Sequence, residues 1–346
     1  MILKLLSLLI LLLTIVLSII VILKNDNKKP VSIGKTEKIE RKKIYLGAWV
    51  GGFWDNDTRT LDTKVFTDFE EVIGKKMAIA NIYSQWSYLS NPKLIDSLNK
   101  MASYGWTPII SSNPSFFEEC PKGEYSLYKT IAIGNCDEFL KDIAVNLRSY
   151  DKKILFRFAW EMNLPSMYWS VDFVKSEPDD FVEAWRHFYT ILEQYKADNV
   201  EWVLSFNTSS SQTIPYLKLF PGDNYIDWVA IDGYNWGNTQ DWGGWTSFEG
   251  VFRNSYNELT ALTAKPVMLS EVNSSPTEAG GDKAEWIRDM LDVQLPKHFT
   301  QVEAVIFFNE NKEEGEGVDW RLESSQEVTA AVNHSLKSDL YMSEFP

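Results

Sequence analysis

The sequence is poor in the residues that hold metals, phosphates and nucleotide cofactors. It has two cysteines and three histidines, and no Cys-x-x-Cys pair occurs, so no zinc site is expected. Its formal net charge of −14 argues against a nucleic-acid partner, because phosphate backbones are bound by clustered lysine and arginine. Gly51-Gly52, after the first strand candidate, does not fit the Gly-x-Gly-x-x-Gly turn of dinucleotide-binding folds. We therefore expect neither a metal nor an organic cofactor.

Both cysteines, Cys120 and Cys136, fall in the long loop-like stretch that follows the third strand candidate. In an oxidising compartment they would form a disulfide that closes this loop, whereas in a reducing compartment they would remain two unpaired thiols. We expect the disulfide on the condition that the domain is exported.

The N-terminal segment is predicted to be a signal anchor that covers residues 1–23. Residues 5–23 are almost wholly apolar, which matches the ~20 residues that span a bilayer. A cleaved signal peptide is the alternative, although its apolar run is shorter, about 7–15 residues, and we find no small-residue cleavage site before Lys24. Residues 24–43 are polar and rich in lysine, which is typical of a flexible linker.

The remainder, residues 44–346, alternates between apolar strand candidates and amphipathic helix candidates. The strands are predicted at 44–50, 77–83, 106–111, 153–160, 201–206, 227–232, 266–271 and 304–309. The helices are predicted at 62–73, 91–104, 137–149, 179–196, 214–219, 248–262, 281–295 and 324–337. Such alternation indicates a parallel sheet with right-handed crossovers. We predict a (β/α)8 barrel rather than an open, doubly wound sheet, since the latter would usually carry the glycine-rich turn.

Two of these strands are predicted to end in a glutamate, Glu161 on the fourth and Glu271 on the seventh. The carboxyl ends of barrel strands share one mouth, where chemistry takes place. Glycoside hydrolysis needs two carboxylates, one kept protonated and the other ionised. Trp160 and Trp169 would surround Glu161 with apolar surface and raise its pKa. Arg157, predicted on the same side of the strand as Glu161, would keep Glu271 ionised.

Further residues in the same order along the chain resemble glycoside hydrolase family 26, the β-mannanase-type retaining barrels. The resemblance covers about residues 44–325, and it is carried by Gly47-Ala48-Trp49, Phe156-Arg157, Glu161-Met162-Asn163, Tyr168-Trp169, Trp202-Val203, Asn207, Asp232-Gly233-Tyr234-Asn235, Lys265-Pro266, Ser270-Glu271, Phe308-Asn309 and Asp319-Trp320-Arg321. It implies that Glu161 is the acid/base and Glu271 the nucleophile. It also implies that Tyr234 hydrogen-bonds the nucleophile and that Arg157 supports the pair.

The chain departs from the family pattern beside the acid/base. The family typically has His before this glutamate and Gly after the asparagine, whereas this chain has Trp160 and Leu164. The histidine usually lies at the sugar in the cleaved subsite, so its loss leaves the specificity for mannan open. Asn163 is expected to support the site, and the residues expected to contact sugar are Trp49, Trp160, Trp169, Asp232, Asn235, Trp236 and Trp320. The alternative for Asp232 and Asn235 is that they fix the loop after the strand, and for Asp232 also a purely structural role. Trp236, Trp242 and Trp245, among glycines after the sixth strand candidate, are expected to form an exposed sugar platform, with a folded-over hydrophobic cap as the alternative.

The function expected from these residues is a retaining endo-β-glycanase that acts on a β-1,4-mannan or a β-glucan by double displacement. Fourteen tryptophans fit this reading, since flat rings stack on pyranose faces. The alternatives are a catalytically silent carbohydrate-binding barrel and a hydrolase that trims the cell's own exopolysaccharide. Lysines after the apolar segment would keep the domain inside the cell. A polysaccharide substrate favours the outside, so we expect a single-pass membrane protein with an extracytoplasmic domain, and a monomer.

Overall fold

The computed structural model describes residues 42–53, 61–116, 120–121 and 123–346. Within these ranges, eight parallel strands pair in chain order, and β1 also pairs with β8, so the sheet closes into a barrel. The strands are β1 Ile44–Val50, β2 Ile79–Gln85, β3 Thr107–Asn113, β4 Ile154–Phe158, β5 Val200–Asn207, β6 Trp228–Asn235, β7 Val267–Ser274 and β8 Val302–Asn309. The predicted (β/α)8 barrel is thereby confirmed.

Helices cover the outside of the barrel and lie between successive strands. They are α1 Thr63–Ile73, α2 Pro92–Ser103, α3 Leu127–Ala132, α4 Asp137–Arg148, α5 Pro178–Gln194, α6 Phe248–Leu262, α7 Lys283–Arg288, α8 Leu295–Lys297, α9 Glu313–Glu316 and α10 Gln326–Ser335. A π-helical turn, Asp289–Gln294, joins α7 to α8. Local sequence sets their ends: the Asp62 side chain accepts from the Lys64 N–H at the start of α1, and Gly74 ends that helix with φ 66°.

Apolar side chains fill the barrel at the end where the strands begin. Ile79, Ile109, Leu155, Val203 and Met268 are fully buried in this layer. Tyr45 and Phe345 pack against it, with their ring centroids 4.7 Å apart. Because this end is closed by side chains, polar chemistry is confined to the opposite mouth, where the strands finish.

The seventh strand contains an extra residue beside the site. Ile231 of β6 pairs with Leu269 of β7, but the next residue, Asp232, pairs with Glu271, so Ser270 is left over. The register with β8 shifts over the same residues. A bulge of this kind redirects the side chains that follow it. Here it turns Ser270 toward Asp232 and leaves Glu271 in the barrel mouth.

The loop predicted after β3 is partly helical, because it contains α3. Cys120 and Cys136 flank this helix and form a disulfide with their Cα atoms 4.9 Å apart. Two short ribbon strands, β9 Asn311–Lys312 and β10 Val318–Asp319, and a strand beside β1, β11 Tyr341–Met342, were not predicted. They are only two residues long, too short for a periodic sequence signal.

The signal anchor and nearly all of the linker predicted for residues 1–43 lie outside the described residues. Of the linker, Lys42 and Lys43 are described, and the Lys43 ammonium donates to the Asp339 carbonyl at 2.7 Å. In the part of the chain that the structure covers, no helix has the length and apolar character needed to cross a bilayer.

Candidate active site

The acid/base candidate lies on a turn beyond the fourth strand. The sequence predicted strand through residue 160, but β4 ends at Phe158, and both Ala159 and Glu161 have positive φ, 49° and 54°. The expectation that Arg157 and Glu161 share one side of a strand was therefore wrong, because no pleat connects them. Instead, the Glu161 backbone N–H donates to the Ser205 carbonyl of β5 at 3.0 Å. This bond carries the side chain over the barrel mouth.

The carboxyl group of Glu161 is enclosed. The residue is 4% exposed, and the Asn207 side-chain amide donates to its Oε1 at 2.6 Å. Burial raises the pKa of Glu161 well above its usual range, and the charges of Asp232 and Glu271 raise it further. The hydrogen bond from Asn207 acts in the opposite direction but is the smaller effect. The surroundings of Glu161 therefore favour its protonated form, which can act as a proton donor.

Asn163 organises the support behind this carboxyl. Its side-chain amide donates to the Asn207 carbonyl at 3.0 Å, and its side-chain oxygen accepts from the Asn207 N–H at 2.9 Å. Asn163 is fully buried, so these bonds cannot be replaced by bulk water. Its role is to fix Asn207, which in turn contacts Glu161.

The second carboxylate, Glu271, is held by three hydrogen-bond donors. Arg157 and the Tyr83 hydroxyl donate to its Oε1, and the Tyr234 hydroxyl donates to Oε2. Burial raises the pKa of both tyrosines well above their usual range, and the Glu271 charge adds to this effect. Both hydroxyls therefore remain protonated donors. Three donors, one of them cationic, therefore hold the Glu271 side chain in place.

A buried network lies beneath Glu271. The same nitrogen of Arg157 that reaches Glu271 donates to Asp232 Oδ2 at 3.2 Å, and the hydroxyls of Ser270 and Ser205 donate to Asp232 at 2.6 and 3.1 Å. Arg157 and Asp232 are both fully buried. Burial raises the pKa of Asp232 to about 7, although Arg157 beside it has the opposite effect. Asp232 and Glu271 raise the pKa of Arg157 against the effect of its burial, so it stays cationic.

Aromatic rings form one wall of the mouth. Tyr83 lies between Trp49 and Trp160, with ring centroids 4.6 and 4.9 Å away. Trp160 in turn packs on Trp169 at 4.3 Å, and the Trp169 indole N–H donates to the Trp160 carbonyl at 2.6 Å. The Arg157 guanidinium lies 5.5 Å from the Trp160 ring. Trp160 thus occupies the space between the two halves of the site.

Three residues expected to contact sugar are buried instead. Asp232 and Asn235 are fully buried, and Trp320 is 1% exposed. Asp232 is bonded as described above, and the Asn235 side chain accepts from the Gly237 and Thr246 N–H groups of the following loop. Trp320 packs under Trp236, with centroids 4.9 Å apart. The internal hydrogen bonds of Asp232 and Asn235 fit the alternative roles given above, in which these residues fix the loop or the fold. Trp320, whose indole is covered, supports the site from behind.

Trp49, Trp160 and Trp169 are also largely buried, at 8%, 9% and 4% exposure, so each presents only an edge. Trp236 is half-buried. The loop after β6 fits each of the two interpretations in part. Trp242 is 71% exposed, as a sugar platform would be. Trp245 is packed as in a cap, so close to Gly281 that a Cβ on Gly281 would be 2.0 Å from the indole.

The sequence reasoning missed Tyr83, Ser205 and the function of Asn207. Tyr83 lies near the end of β2, and a tyrosine near a barrel-strand end is the signal that could have found it. Ser205 is fully buried in β5, where a serine within an apolar strand indicates a polar partner across the barrel. No cluster of three or more acidic, histidine or cysteine side chains suited to a metal occurs within the described ranges.

Comparison with known proteins agrees with this architecture. The profile of glycosyl hydrolase family 26 matches residues 120–290. Over 303 residues, the chain is 30% identical to endoglucanase H of Acetivibrio thermocellus, which covers 85% of this chain and 30% of that protein. Over 132 residues, it is 29% identical to mannan endo-1,4-β-mannosidase A and B of Caldalkalibacillus mannanilyticus, which covers 37% of this chain and 23% of that protein.

A solved β-mannanase from Bacteroides ovatus superimposes with a TM-score of 0.61 at 16% identity, over 88% of this chain and 91% of that one, which is a likeness of fold. The molecule is a (β/α)8 barrel with two buried glutamates at its mouth. The chain belongs to glycosyl hydrolase family 26, which confirms the resemblance. It spans 30% or less of the length of the two curated relatives.

Proposed function

We propose that this protein hydrolyses a β-linked glycan with retention of configuration, with Glu161 as acid/base and Glu271 as nucleophile. One observation carries the proposal: the two carboxyl groups at one mouth have opposite environments. Burial raises the pKa of Glu161, whereas Glu271 accepts hydrogen bonds from Arg157, Tyr83 and Tyr234. Carboxyl groups with divergent environments are the arrangement that divides acid and nucleophile roles.

The reaction follows from these environments. Glu161 donates its proton to the glycosidic oxygen while Glu271 attacks the anomeric carbon, which forms a glycosyl ester and releases the leaving sugar. Esterification removes the negative charge of Glu271, one of the charges that raise the pKa of Glu161. The pKa of Glu161 then falls, so Glu161 can take a proton from water. The activated water attacks the ester and regenerates both groups.

The substrate we propose is a β-1,4-linked backbone, with β-glucan favoured over β-mannan. The relative that matches 85% of this chain is named an endoglucanase, whereas the one named a mannosidase matches 37%. Trp160, at the position where the family pattern typically has His, places an indole beside Tyr83 and Arg157 at the centre of the site. An endo mode of attack is part of the proposal.

The test is hydrolysis by the full chain of a panel of β-glucans, β-mannans and xylans, with products sized over time. Endo action predicts a rapid fall in polymer length before short sugars accumulate.

A 2-deoxy-2-fluoro glycoside with a good leaving group should add its mass to the peptide that contains Glu271. Glu271→Ala should abolish hydrolysis and regain part of it with azide. A wild type that binds oligosaccharide but cleaves no β-glycan would replace the proposal with the silent carbohydrate-binding barrel.

We also propose that residues 5–23 anchor the chain in a membrane with the barrel on the extracytoplasmic side. The support is their apolar composition, together with the disulfide, which needs an oxidising compartment. The full chain should stay in the membrane fraction after carbonate extraction. Protease added to intact cells should cleave the barrel from that fraction. Release of the protein into the medium would instead favour a cleaved signal peptide.

A further inference from the structure

The most exposed tryptophan in the described ranges lies on the loop that follows β6. Trp242 is 71% exposed. It stands near the tip of a narrow hairpin, in which Gly237 and Gly244 form an isolated antiparallel bridge. The half-buried Trp236 lies 5.4 Å from Trp242, so the two rings form a contiguous exposed aromatic surface, and such surfaces mark ligand-binding grooves.

The hairpin is braced at its base and along one side. The buried Asn235 side chain accepts from the N–H groups of Gly237 and Thr246, at 3.3 and 2.9 Å, one on each side of the hairpin. The Gln240 amide donates to the Glu316 carbonyl of α9 at 2.7 Å, which ties the hairpin to the loop after β8. These bonds fix the position of Trp242 before any ligand arrives, which reduces the entropy lost on binding.

A continuous series of rings connects Trp242 to the nucleophile. The Tyr234 hydroxyl donates to Glu271, and the Tyr234 ring lies 6.2 Å from that of Trp236. Trp236 is 5.4 Å from Trp242 and rests on the buried Trp320 at 4.9 Å. The exposed ring is therefore two aromatic steps from the catalytic carboxylate.

We propose that Trp242 is a distal subsite, at which its indole stacks on a pyranose ring of the β-linked chain whose scissile bond lies between Glu161 and Glu271. The inference rests on the proposed function, because that function sets the path along which the glycan runs from the two glutamates to Trp242. A neutral sugar suits the surface, because the indole offers an apolar face and the molecule is acidic overall. The subsite would favour long substrates over short ones.

The experiment separates binding from hydrolysis. In a Glu271→Gln background, calorimetry with cello- and manno-oligosaccharides from two to six units gives affinity without turnover. Trp242→Ala should weaken binding of the better hexasaccharide about tenfold, about 1.4 kcal/mol, and leave the disaccharide unchanged. Trp242→Phe, which keeps a stacking ring, should recover most of the affinity. Tyr104→Ala is the control, because Tyr104 is 44% exposed and precedes β3 at the other end of the barrel.

In active enzyme, Trp242→Ala should lower kcat/KM for hexasaccharide by a similar factor and spare a short aryl glycoside. Three results would overturn the subsite. The first is an equal loss for substrates of all lengths, and the second is a hexasaccharide affinity that Trp242→Ala leaves unchanged. The third is a Glu271→Gln protein that binds neither hexasaccharide at millimolar concentration. Failure of the proposed function has a different signature: length-dependent binding through Trp242 would persist while the wild type released no sugar.

Discussion

Asn163 and Asn207 exchange two hydrogen bonds, side chain to backbone, across the gap between the turn after β4 and the end of β5. Asn207 also donates its own side-chain amide to Glu161. The conformation of Glu161, the proposed acid/base, thus depends on Asn163 through Asn207. Asn163 is a positioning residue in this sense.

Replacing Asn163 with Ala should release Asn207 and remove the bond that lowers the pKa of Glu161. The pKa of Glu161 then rises, so the alkaline limb of the kcat/KM profile moves to higher pH, and misplacement of the acid costs up to about 100-fold in kcat. The buried backbone groups left without partners cost about 1–3 kcal/mol of unfolding free energy. Asn163→Asp, which can still accept from the Asn207 N–H, should be intermediate. An unshifted limb would show that Asn207 keeps its place unaided.

Removal of Arg157 should be among the most destabilising single changes in the barrel. Arg157→Met leaves Asp232 and Glu271 as buried carboxylates without a cation, at a cost of about 3–5 kcal/mol in the free energy of unfolding. Arg157→Met/Asp232→Asn should recover part of the loss, since one of those charges is gone. Urea denaturation at a pH above the pKa of Asp232 measures the free energy of unfolding of both variants. Arg288→Met breaks the exposed pair with Glu285 and should cost at most about 1 kcal/mol; similar losses for the two arginines would refute the argument.

The Tyr83 hydroxyl should matter for catalysis rather than for folding. Tyr83→Phe removes one of three hydrogen-bond donors to Glu271, so kcat should fall by about 10-fold or more. Tyr128→Phe is the matched control, because its buried hydroxyl donates to the Trp169 carbonyl. It should lose stability and keep the wild-type kcat. Should Tyr83→Phe also keep the wild-type kcat, Tyr83 would be only a packing residue.

Asp232 should make the protein less stable as pH rises. Its pKa is about 7 in the folded state, and about 3.9 when unfolded. Between these values the folded state binds more protons than the unfolded state, so the free energy of unfolding falls with increasing pH across that window. Above the folded pKa this group causes no further loss. Asp232→Asn should flatten the dependence in denaturant titrations, and an equally steep curve in the variant would assign it to other groups.

The barrel could be predicted from the sequence because each strand is a short apolar run bounded by polar segments. Ile154–Phe158 and Val267–Ser274 show this, and the predicted strand ends differ from the structure by at most three residues. Hydrophobic periodicity cannot reveal where a strand departs from the regular pairing of the sheet. The turn at Ala159 and the bulge at Ser270 both depend on partners distant in the chain.

The two carboxylates of the site could be predicted from the sequence, but the contacts of the residues that support them could not. Glu161 and Glu271 each follow a short apolar run in the sequence, which is a local signal, and the structure brings both to one mouth. Burial of Asn235 and Trp320 depends on how the loops after β6 and β8 fold onto each other, which no local pattern encodes. Tyr83 escaped for the same reason: its partner, Glu271, is 188 residues away.

The left-handed backbone at Glu161 has a consequence for attempts to improve the protein. A non-glycine residue at φ 54° holds strain of about 1–3 kcal/mol, which glycine would relieve. Selection for heat resistance alone would therefore favour Glu161→Gly, a substitution that removes the proposed proton donor. Stability and turnover compete at this position, so a thermostability screen of this chain has to be coupled to an activity assay.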